Sequence, residues 1–209
     1  MSFAAVIFDL DGTLVDSEAI THAAGLFAFA AQGVAVDPAF LHALAGIDDA
    51  TGAARIRAAY PVLDPARFAR DWEGEVRARQ ATGIPLKPFA LDVLTALPHP
   101  KALATSSKRT SAHRKLAVTG LARHFPHVVT FDDVTLPKPA PEPFLLAAAL
   151  LGVDPATCLV FEDSDTGAEA ANRAGMTVVQ VPDIAQITGR FAHHVAPDLL
   201  AGARMAGII

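Results

Sequence analysis

Short apolar runs and longer helical patterns alternate along this chain. The first run, residues 4–8, has five apolar residues and predicts a buried strand that ends at an acidic turn, Asp9 to Thr13. From Pro88 onward, similar runs are separated by helical patterns, which predicts a doubly wound parallel sheet with right-handed crossovers. The further predicted strands are residues 101–104, 128–131, 158–161 and 177–181, with a short edge strand at 194–195.

The segment between Ser17 and Thr82 has a different pattern. It contains no convincing strand and has four helical stretches, the second and fourth of which open on Asp-Pro pairs at Asp37 and Asp64. An all-helical segment that follows a single strand indicates an insertion into the alternating fold. The predicted helices of this insertion are residues 18–31, 37–44, 48–59 and 64–79.

Polar groups follow four of the predicted strands at the point where each strand ends. Because ligands of such sheets bind beyond the carboxyl ends of the strands, these groups predict one shared site. Two carboxylates at about 4 Å repel by about 4 kcal/mol at an effective dielectric constant near 20, so the acidic groups require a cation or a special role. The four groups are Asp9 with Asp11, Thr105 with Ser106, the loop 132–138, and Glu162 with Asp163.

Composition limits the partners of the protein. The 209 residues carry a net charge of −5 without a basic block, which argues against nucleic acid as the main partner. The single cysteine, Cys158, fits a reducing cytoplasm. The first apolar run stops at Asp9 and lacks a basic flank, so it does not predict a signal peptide. We expect a cytoplasmic protein without a membrane partner, either a monomer or a weak dimer.

Four motifs in order resemble the haloacid dehalogenase superfamily, in its phosphatase-like branch with a helical cap after the first strand. They are FDLDGT at 8–13, LATSS at 103–107, KPAPEPF at 138–144 and VFEDSDTG at 160–167. The resemblance implies an α/β fold with a Rossmann-like core formed by residues 1–16 and 87–209, and an all-helical cap at 17–86. It also implies bound Mg²⁺ and phosphoryl transfer through an aspartyl-phosphate.

The carboxylates suit this chemistry. Asp9 is the candidate nucleophile, because a carboxylate can split ester hydrolysis into two displacements. Asp11 is the candidate general acid and base. Mg²⁺ prefers oxygen ligands, which Asp9, Asp163 and the Asp11 backbone carbonyl can supply, while Glu162 acts through water. A helix N-cap is the structural alternative for the segment from Glu162 to Ser164.

Three further groups are candidates for holding phosphate. The Thr105 hydroxyl and the Ser106 backbone N–H lie at a strand-to-helix turn, where donors are unpaired, although a simple helix cap would also explain them. Lys138 can bridge Asp9 and the phosphoryl group as a point charge, although most lysines are exposed surface residues.

The resemblance favours a phosphatase that hydrolyses a small phosphorylated metabolite, either a sugar phosphate or an organic-acid phosphate. A phosphomutase similar to β-phosphoglucomutase is the alternative, but those relatives use a cap lysine and no lysine lies between Ser17 and Leu86. A non-catalytic binding module is a third hypothesis. The chain also departs from the Pro-Gly usual at the return from the cap, because it has Pro88-Phe89.

Overall fold

The computed structural model describes residues 3–44, 49–183 and 187–209. These residues form an α/β fold whose sheet has six parallel strands in the order β3-β2-β1-β4-β5-β6. The predicted fold class is therefore confirmed. The strands are β1 Ala5–Phe8, β2 Lys101–Ala104, β3 His127–Val129, β4 Cys158–Glu162, β5 Thr177–Gln180 and β6 His194–Val195.

Strand β1 lies at the centre of the sheet. Its residue Ile7 pairs with Ala102 of β2 on one side and with Val160 of β4 on the other. The strand order reverses between β1 and β4, and this switch point is where doubly wound sheets bind ligands. The helices are α1 Ser17–Ala30, α2 Pro38–His42, α3 Asp49–Ala59, α4 Pro65–Thr82, α5 Ala90–Ala96, α6 Arg109–Thr119, α7 Glu142–Leu151, α8 Asp165–Arg173 and α9 Leu199–Met205.

The core of the sheet explains why β1 is apolar on both faces. Ile7 lies in a buried cluster with Phe144 of α7. Phe8, which points to the opposite face, stacks on Phe161 with ring centroids 5.1 Å apart and meets the edge of Phe125. Burying an Ile or Phe side chain contributes about 1.5–3 kcal/mol, so this double burial fixes the end of β1 firmly.

The chain divides into two compact units. One comprises Met1–Asp16 with Pro85–Ile209, and the other is Ser17–Ile84. The second unit contains α1 to α4, and an aromatic cluster stabilises it: Phe68 meets Phe29 at 4.8 Å and Trp72 at 5.4 Å between ring centroids. The first unit begins again two residues before the predicted boundary at residue 87.

Hydrogen bonds between the two chain segments of the first unit account for that difference. The Asp16 N–H donates to the Pro85 carbonyl at 2.9 Å, and the Lys87 N–H donates to the Leu14 carbonyl at 2.9 Å. Residues 85–87 therefore pair with the segment that follows β1, which the helical pattern before them does not reveal.

Several predicted boundaries are wrong, among them the end of the fourth helix of the insertion, which lies at Thr82 instead of residue 79. Strand β3 ends at Val129 instead of residue 131, because Thr130 caps a 3-10 turn that occupies Phe131–Asp133. Helix α8 begins at Asp165, because the Ser164 hydroxyl caps it by accepting a hydrogen bond from the Gly167 N–H. The predicted start of the third helix, residue 48, lies outside the described residues.

Within the described residues, no helix is both long and apolar enough to span a bilayer. Cys158 is buried in β4 as a free thiol. Burial, with a smaller contribution from Asp154, raises the pKa of this thiol to about 11, so it is protonated and unreactive at neutral pH.

Phe89 carries backbone strain at the point where the chain returns to the sheet. It has φ 62° and ψ 8°, a left-handed conformation, and precedes α5 without a side-chain cap. A non-glycine residue there costs about 1–2 kcal/mol. The backbone thus takes a conformation suited to glycine although the side chain is phenylalanine.

We expect Phe89→Gly to raise the free energy of unfolding by about 1 kcal/mol, because the strain disappears and the ring is 43% exposed. Thermal unfolding measures the change. Phe89→Ala is the matched control, since it removes the ring but keeps the Cβ atom that causes the strain. An equal gain from both substitutions would contradict the strain argument.

Candidate active site

Asp9 stands at the carboxyl end of β1. Its backbone N–H donates to the Phe161 carbonyl at 3.0 Å, so the β1–β4 ladder continues to this residue. Only 5% of Asp9 is exposed, and its Oδ1 atom accepts a hydrogen bond from the Lys138 ammonium group at 2.7 Å. Burial raises the pKa of Asp9 to about 7, although Lys138 acts in the opposite direction. The carboxylate is therefore held in a position that disfavours its charge.

Lys138 links two segments that are distant in sequence. Its Nζ atom lies 2.7 Å from Asp9 Oδ1 and 2.7 Å from Glu162 Oε1, and its side chain is almost fully buried. The ammonium group also lies 4.9 Å from the centre of the Phe144 ring. Burial alone would lower the pKa of Lys138, but the two carboxylates raise it above its ordinary value. Lys138 is thus a fixed positive charge in the site.

Glu162, the last residue of β4, uses both oxygen atoms for hydrogen bonds. Oε1 accepts from Lys138, and Oε2 accepts at 2.9 Å from the backbone N–H groups of Asp163 and Ser164 and from the Ser164 hydroxyl. A Cβ atom on Gly167 would lie 1.7 Å from Oε1, so this position has room only for glycine. The two residues just before α8 therefore hold Glu162 against Lys138.

Asp163 completes an acidic cluster. Oxygen atoms of Asp9, Glu162 and Asp163 lie within 4.8 Å of one another. In the described part of the chain, no residue donates a hydrogen bond to the Asp163 carboxylate, which packs against Gly12, where a Cβ atom would lie 2.2 Å from Oδ2. Burial, followed by the charges of Glu162 and Asp9, raises the pKa of Asp163 well above its usual range.

This cluster fits a hard divalent cation. Three carboxylates face one ammonium group, so the site carries excess negative charge that a cation would neutralise. All the donor atoms are oxygens, which suits Mg²⁺. Since Glu162 is already saturated with donors, Asp9 and Asp163 are the carboxylates best placed to bind a cation directly.

Thr105 and Ser106 follow β2, the neighbour of β1. Because Phe8 pairs with Leu103, the register carries Thr105 alongside the acidic turn after β1. Thr105 is buried, and its Oγ1 atom accepts from the Ser107 N–H at 3.0 Å, which leaves its own proton for donation. Ser106 is exposed at the same turn. The structure thus places both residues at the edge of the sheet that carries Asp9.

The carboxylate of Asp11 contacts two residues that the sequence analysis missed. Ser107 Oγ donates to Asp11 Oδ2 at 2.7 Å, and Lys115 Nζ lies 2.5 Å from Asp11 Oδ1. A signal for Lys115 exists, because it shares a helical face with Ala112 and Leu116, which are apolar and buried. A lysine on an apolar helix face needs a polar partner.

The fold and the site together define a doubly wound α/β protein with an acidic, lysine-paired centre at its switch point. The chain belongs to the haloacid dehalogenase-like hydrolase family, whose sequence pattern it matches over residues 6–181. The resemblance inferred from the four motifs is confirmed, and the protein is a hydrolase of this family.

Two phosphatases are similar to this chain in sequence over most of its length. Fructose-1-phosphate phosphatase of Escherichia coli (strain K12) is 36% identical over 182 residues, which cover 86% of this chain and 96% of the relative. Validoxylamine A 7'-phosphate phosphatase of Streptomyces hygroscopicus subsp. limoneus is 32% identical over 186 residues and 83% of each chain.

Solved structures resemble this chain over nearly its whole length. A family hydrolase from Deinococcus radiodurans R1 with bound phosphate and sodium superposes with a TM-score of 0.84 at 30% identity, covering 98% of this chain and 94% of the other. CbbY from Rhodobacter sphaeroides, in complex with phosphate, has a TM-score of 0.76 at 25% identity, covering 99% of each chain.

We expect Gly167→Ala to lower the free energy of unfolding by about 1–3 kcal/mol, because the new Cβ atom displaces Glu162 from Lys138. Chemical denaturation measures the loss. Gly74→Ala is the matched control: it lies within α4 with no atom near the added Cβ, so it should stabilise by about 0.5–1 kcal/mol. A Gly167→Ala protein as stable as the wild type would show that Glu162 is not held as described.

Proposed function

We propose that the protein is a Mg²⁺-dependent phosphatase that hydrolyses a small phosphorylated metabolite through an aspartyl-phosphate. The observation that carries the proposal is the placement of Asp9, with Lys138 Nζ 2.7 Å from its carboxylate and with Glu162 and Asp163 beside it. A nucleophile, a fixed positive charge and a candidate cation site therefore lie within one buried centre.

Asp9 would attack the phosphorus atom of the substrate. A bond forms between a carboxylate oxygen and phosphorus, and the bond from phosphorus to the ester oxygen breaks. Asp11, in its protonated form, gives its proton to the departing alkoxide. In the second displacement, Asp11 takes a proton from water, and that water releases inorganic phosphate and restores Asp9. One carboxylate thus forms the intermediate while the other moves protons.

The other groups offset charge. Lys138 reduces the repulsion between Asp9 and the phosphate anion, and Glu162 fixes the position of Lys138. Thr105 and the Ser106 N–H would hold phosphate oxygens. Asp9, Asp163 and the Asp11 backbone carbonyl would hold Mg²⁺, with Glu162 acting through water. When bound, this cation supplies positive charge against the charge that builds up on the phosphoryl oxygens.

The relatives support a sugar phosphate as the substrate class. The names of the Escherichia coli and Streptomyces enzymes both specify hydrolysis of a phosphorylated small molecule, and the first is a sugar phosphate. Two solved relatives contain phosphate. We therefore place sugar phosphates before organic-acid phosphates in the order of testing.

We expect the protein to release phosphate from 4-nitrophenyl phosphate and from a panel of sugar phosphates only when Mg²⁺ is present. Asp9→Asn should lower kcat by about a thousandfold or more, because no nucleophile remains. Asp92→Asn, an exposed carboxylate on α5, is the charge-matched control and should change kcat less than about twofold.

Colorimetric phosphate detection, together with chromatography of the sugar products, distinguishes the outcomes. Isomerisation of a sugar phosphate without net phosphate loss, dependent on a bisphosphate primer, would identify a phosphomutase instead. Equal phosphate release by wild type and Asp9→Asn would exclude Asp9 as the nucleophile.

Stability should depend on Mg²⁺ and pH together. The pKa of Asp9, about 7 in the fold without a cation, lies above its ordinary value of 3.8. Between these values the folded state binds more protons than the unfolded state, so stability falls as pH rises, by about 4 kcal/mol at most. Bound Mg²⁺ favours the ionised carboxylate and should cancel much of that loss.

We therefore expect the difference in Tm between Mg²⁺-loaded and EDTA-treated protein to grow from about pH 5 to about pH 8. Thermal unfolding in a series of buffers at constant ionic strength measures it. Asp163→Asn should show a smaller Mg²⁺ effect, since a candidate ligand is removed. A Mg²⁺ effect on Tm that is absent, or that shrinks as pH rises, would contradict this account of the cluster.

A further inference from the structure

A second buried lysine lies at the same edge of the sheet and takes no part in the roles assigned above. Lys115 projects from α6, and only 6% of its surface is exposed. A buried ammonium group is costly unless charged or polar partners surround it. Its nearest partners are Asp11 Oδ1, at 2.5 Å, and Ser107 Oγ, at 3.0 Å.

The three side chains form a closed triangle. Ser107 donates to Asp11 Oδ2 at 2.7 Å and accepts from Lys115, while Lys115 donates to the other oxygen of the same carboxylate. Both oxygens of Asp11 therefore have a partner. Lys115 projects from α6 and Ser107 belongs to the turn after β2, so two separate elements hold the Asp11 carboxylate.

We propose that Lys115 is a positioning residue that, with Ser107, sets the place and orientation of the Asp11 carboxylate. The inference rests on the proposed function, in which Asp11 moves protons in both displacements. Proton transfer requires the carboxyl group to lie within hydrogen-bond reach of the ester oxygen and of the attacking water. An aspartate free to rotate would spend much of its time elsewhere, and small displacements cost large factors in rate.

The arrangement also separates the two lysines. Lys138 donates to the carboxylates of Asp9 and Glu162, whereas Lys115 donates to the carboxylate of Asp11 and to the Ser107 hydroxyl. Neither lysine can therefore replace the other. The loss of Lys115 should disturb proton transfer while leaving Asp9 and its surroundings in place.

The kinetic test compares Lys115→Met with wild type in the full-length, Mg²⁺-loaded protein. We expect kcat for a sugar phosphate to fall about 10- to 100-fold while KM changes less than about threefold. Lys115→Arg keeps the positive charge and should restore most of the activity. Lys108→Met removes an exposed lysine at the start of the same helix and should leave kcat unchanged.

A double-mutant cycle separates positioning from a purely structural role. In an Asp11→Asn background, Lys115→Met should cause no further loss of kcat, because the group on which it acts is already gone. An equal fractional loss of kcat in both backgrounds would show that Lys115 only supports the fold, and would overturn the proposal.

Crystal structures of wild type and Lys115→Met give a readout that does not depend on activity. We expect the Asp11 carboxylate to leave its contact with Ser107 in the variant and to adopt another rotamer. An Asp11 carboxylate with the same rotamer and contacts in the variant would refute the proposal, even if kcat has fallen. If Lys115→Met does not fold, Lys115→Gln, which keeps polar contacts, replaces it with the same criteria.

The two proposals fail in different ways. If the wild-type protein releases no phosphate from any ester, the proposed function is wrong, and the position of Asp11 in the variant crystals still decides the role of Lys115. If the wild type is active, Asp9→Asn is inactive and Lys115→Met keeps full kcat, the function stands and the positioning role is wrong.

Discussion

One buried ammonium group organises the active centre. Lys138 holds Asp9 after β1 and Glu162 at the end of β4 at the same distance, 2.7 Å. Without it, two buried carboxylates and Asp163 would repel one another in a poorly solvated place, and removing one partner of such a network typically costs about 3–5 kcal/mol. Lys138 does not balance the cluster completely, because three carboxylates face it. The remaining negative charge is the physical reason for proposing a divalent cation at this centre.

The sheet topology explains why residues so far apart in sequence share this centre. Strands β1 and β4 are neighbours, and the chain leaves them on opposite sides of the sheet, so a crevice opens between their carboxyl ends. Two close approaches then fix the walls of the crevice. Gly12 gives room for Asp163, and Gly167 gives room for Glu162. A side chain at either glycine would push a carboxylate out of the cluster, so packing and electrostatics impose the same requirement.

The sequence predicted what local patterns encode. Apolar runs located the central strands, and the acidic turn after β1 located Asp9 and Asp11. Its predictions were poorer for boundaries and site residues that depend on contacts between distant segments. Strand β3 ends early because Thr130 caps the next turn, and Pro85 lies in the sheet unit, where its carbonyl accepts a hydrogen bond from the Asp16 N–H. The apolar face that Lys115 shares with Ala112 and Leu116 indicates burial, but it does not show which polar group the lysine meets, and only the fold brings it to Asp11. The roles assigned to the site residues stay predictions.

The roles proposed for Asp9 and Asp11 fit the different environments of these two identical side chains. They are two residues apart, yet Asp9 is nearly buried beside Lys138. The Asp11 side chain is 26% exposed, and its carboxylate pairs with Ser107 and Lys115. A nucleophile benefits from a fixed cationic partner and little water, because its attack brings negative charges together. A group that exchanges protons with an ester oxygen and with water must be reachable by both. The difference in burial therefore supports the proposed roles, bond formation for Asp9 and proton transfer for Asp11.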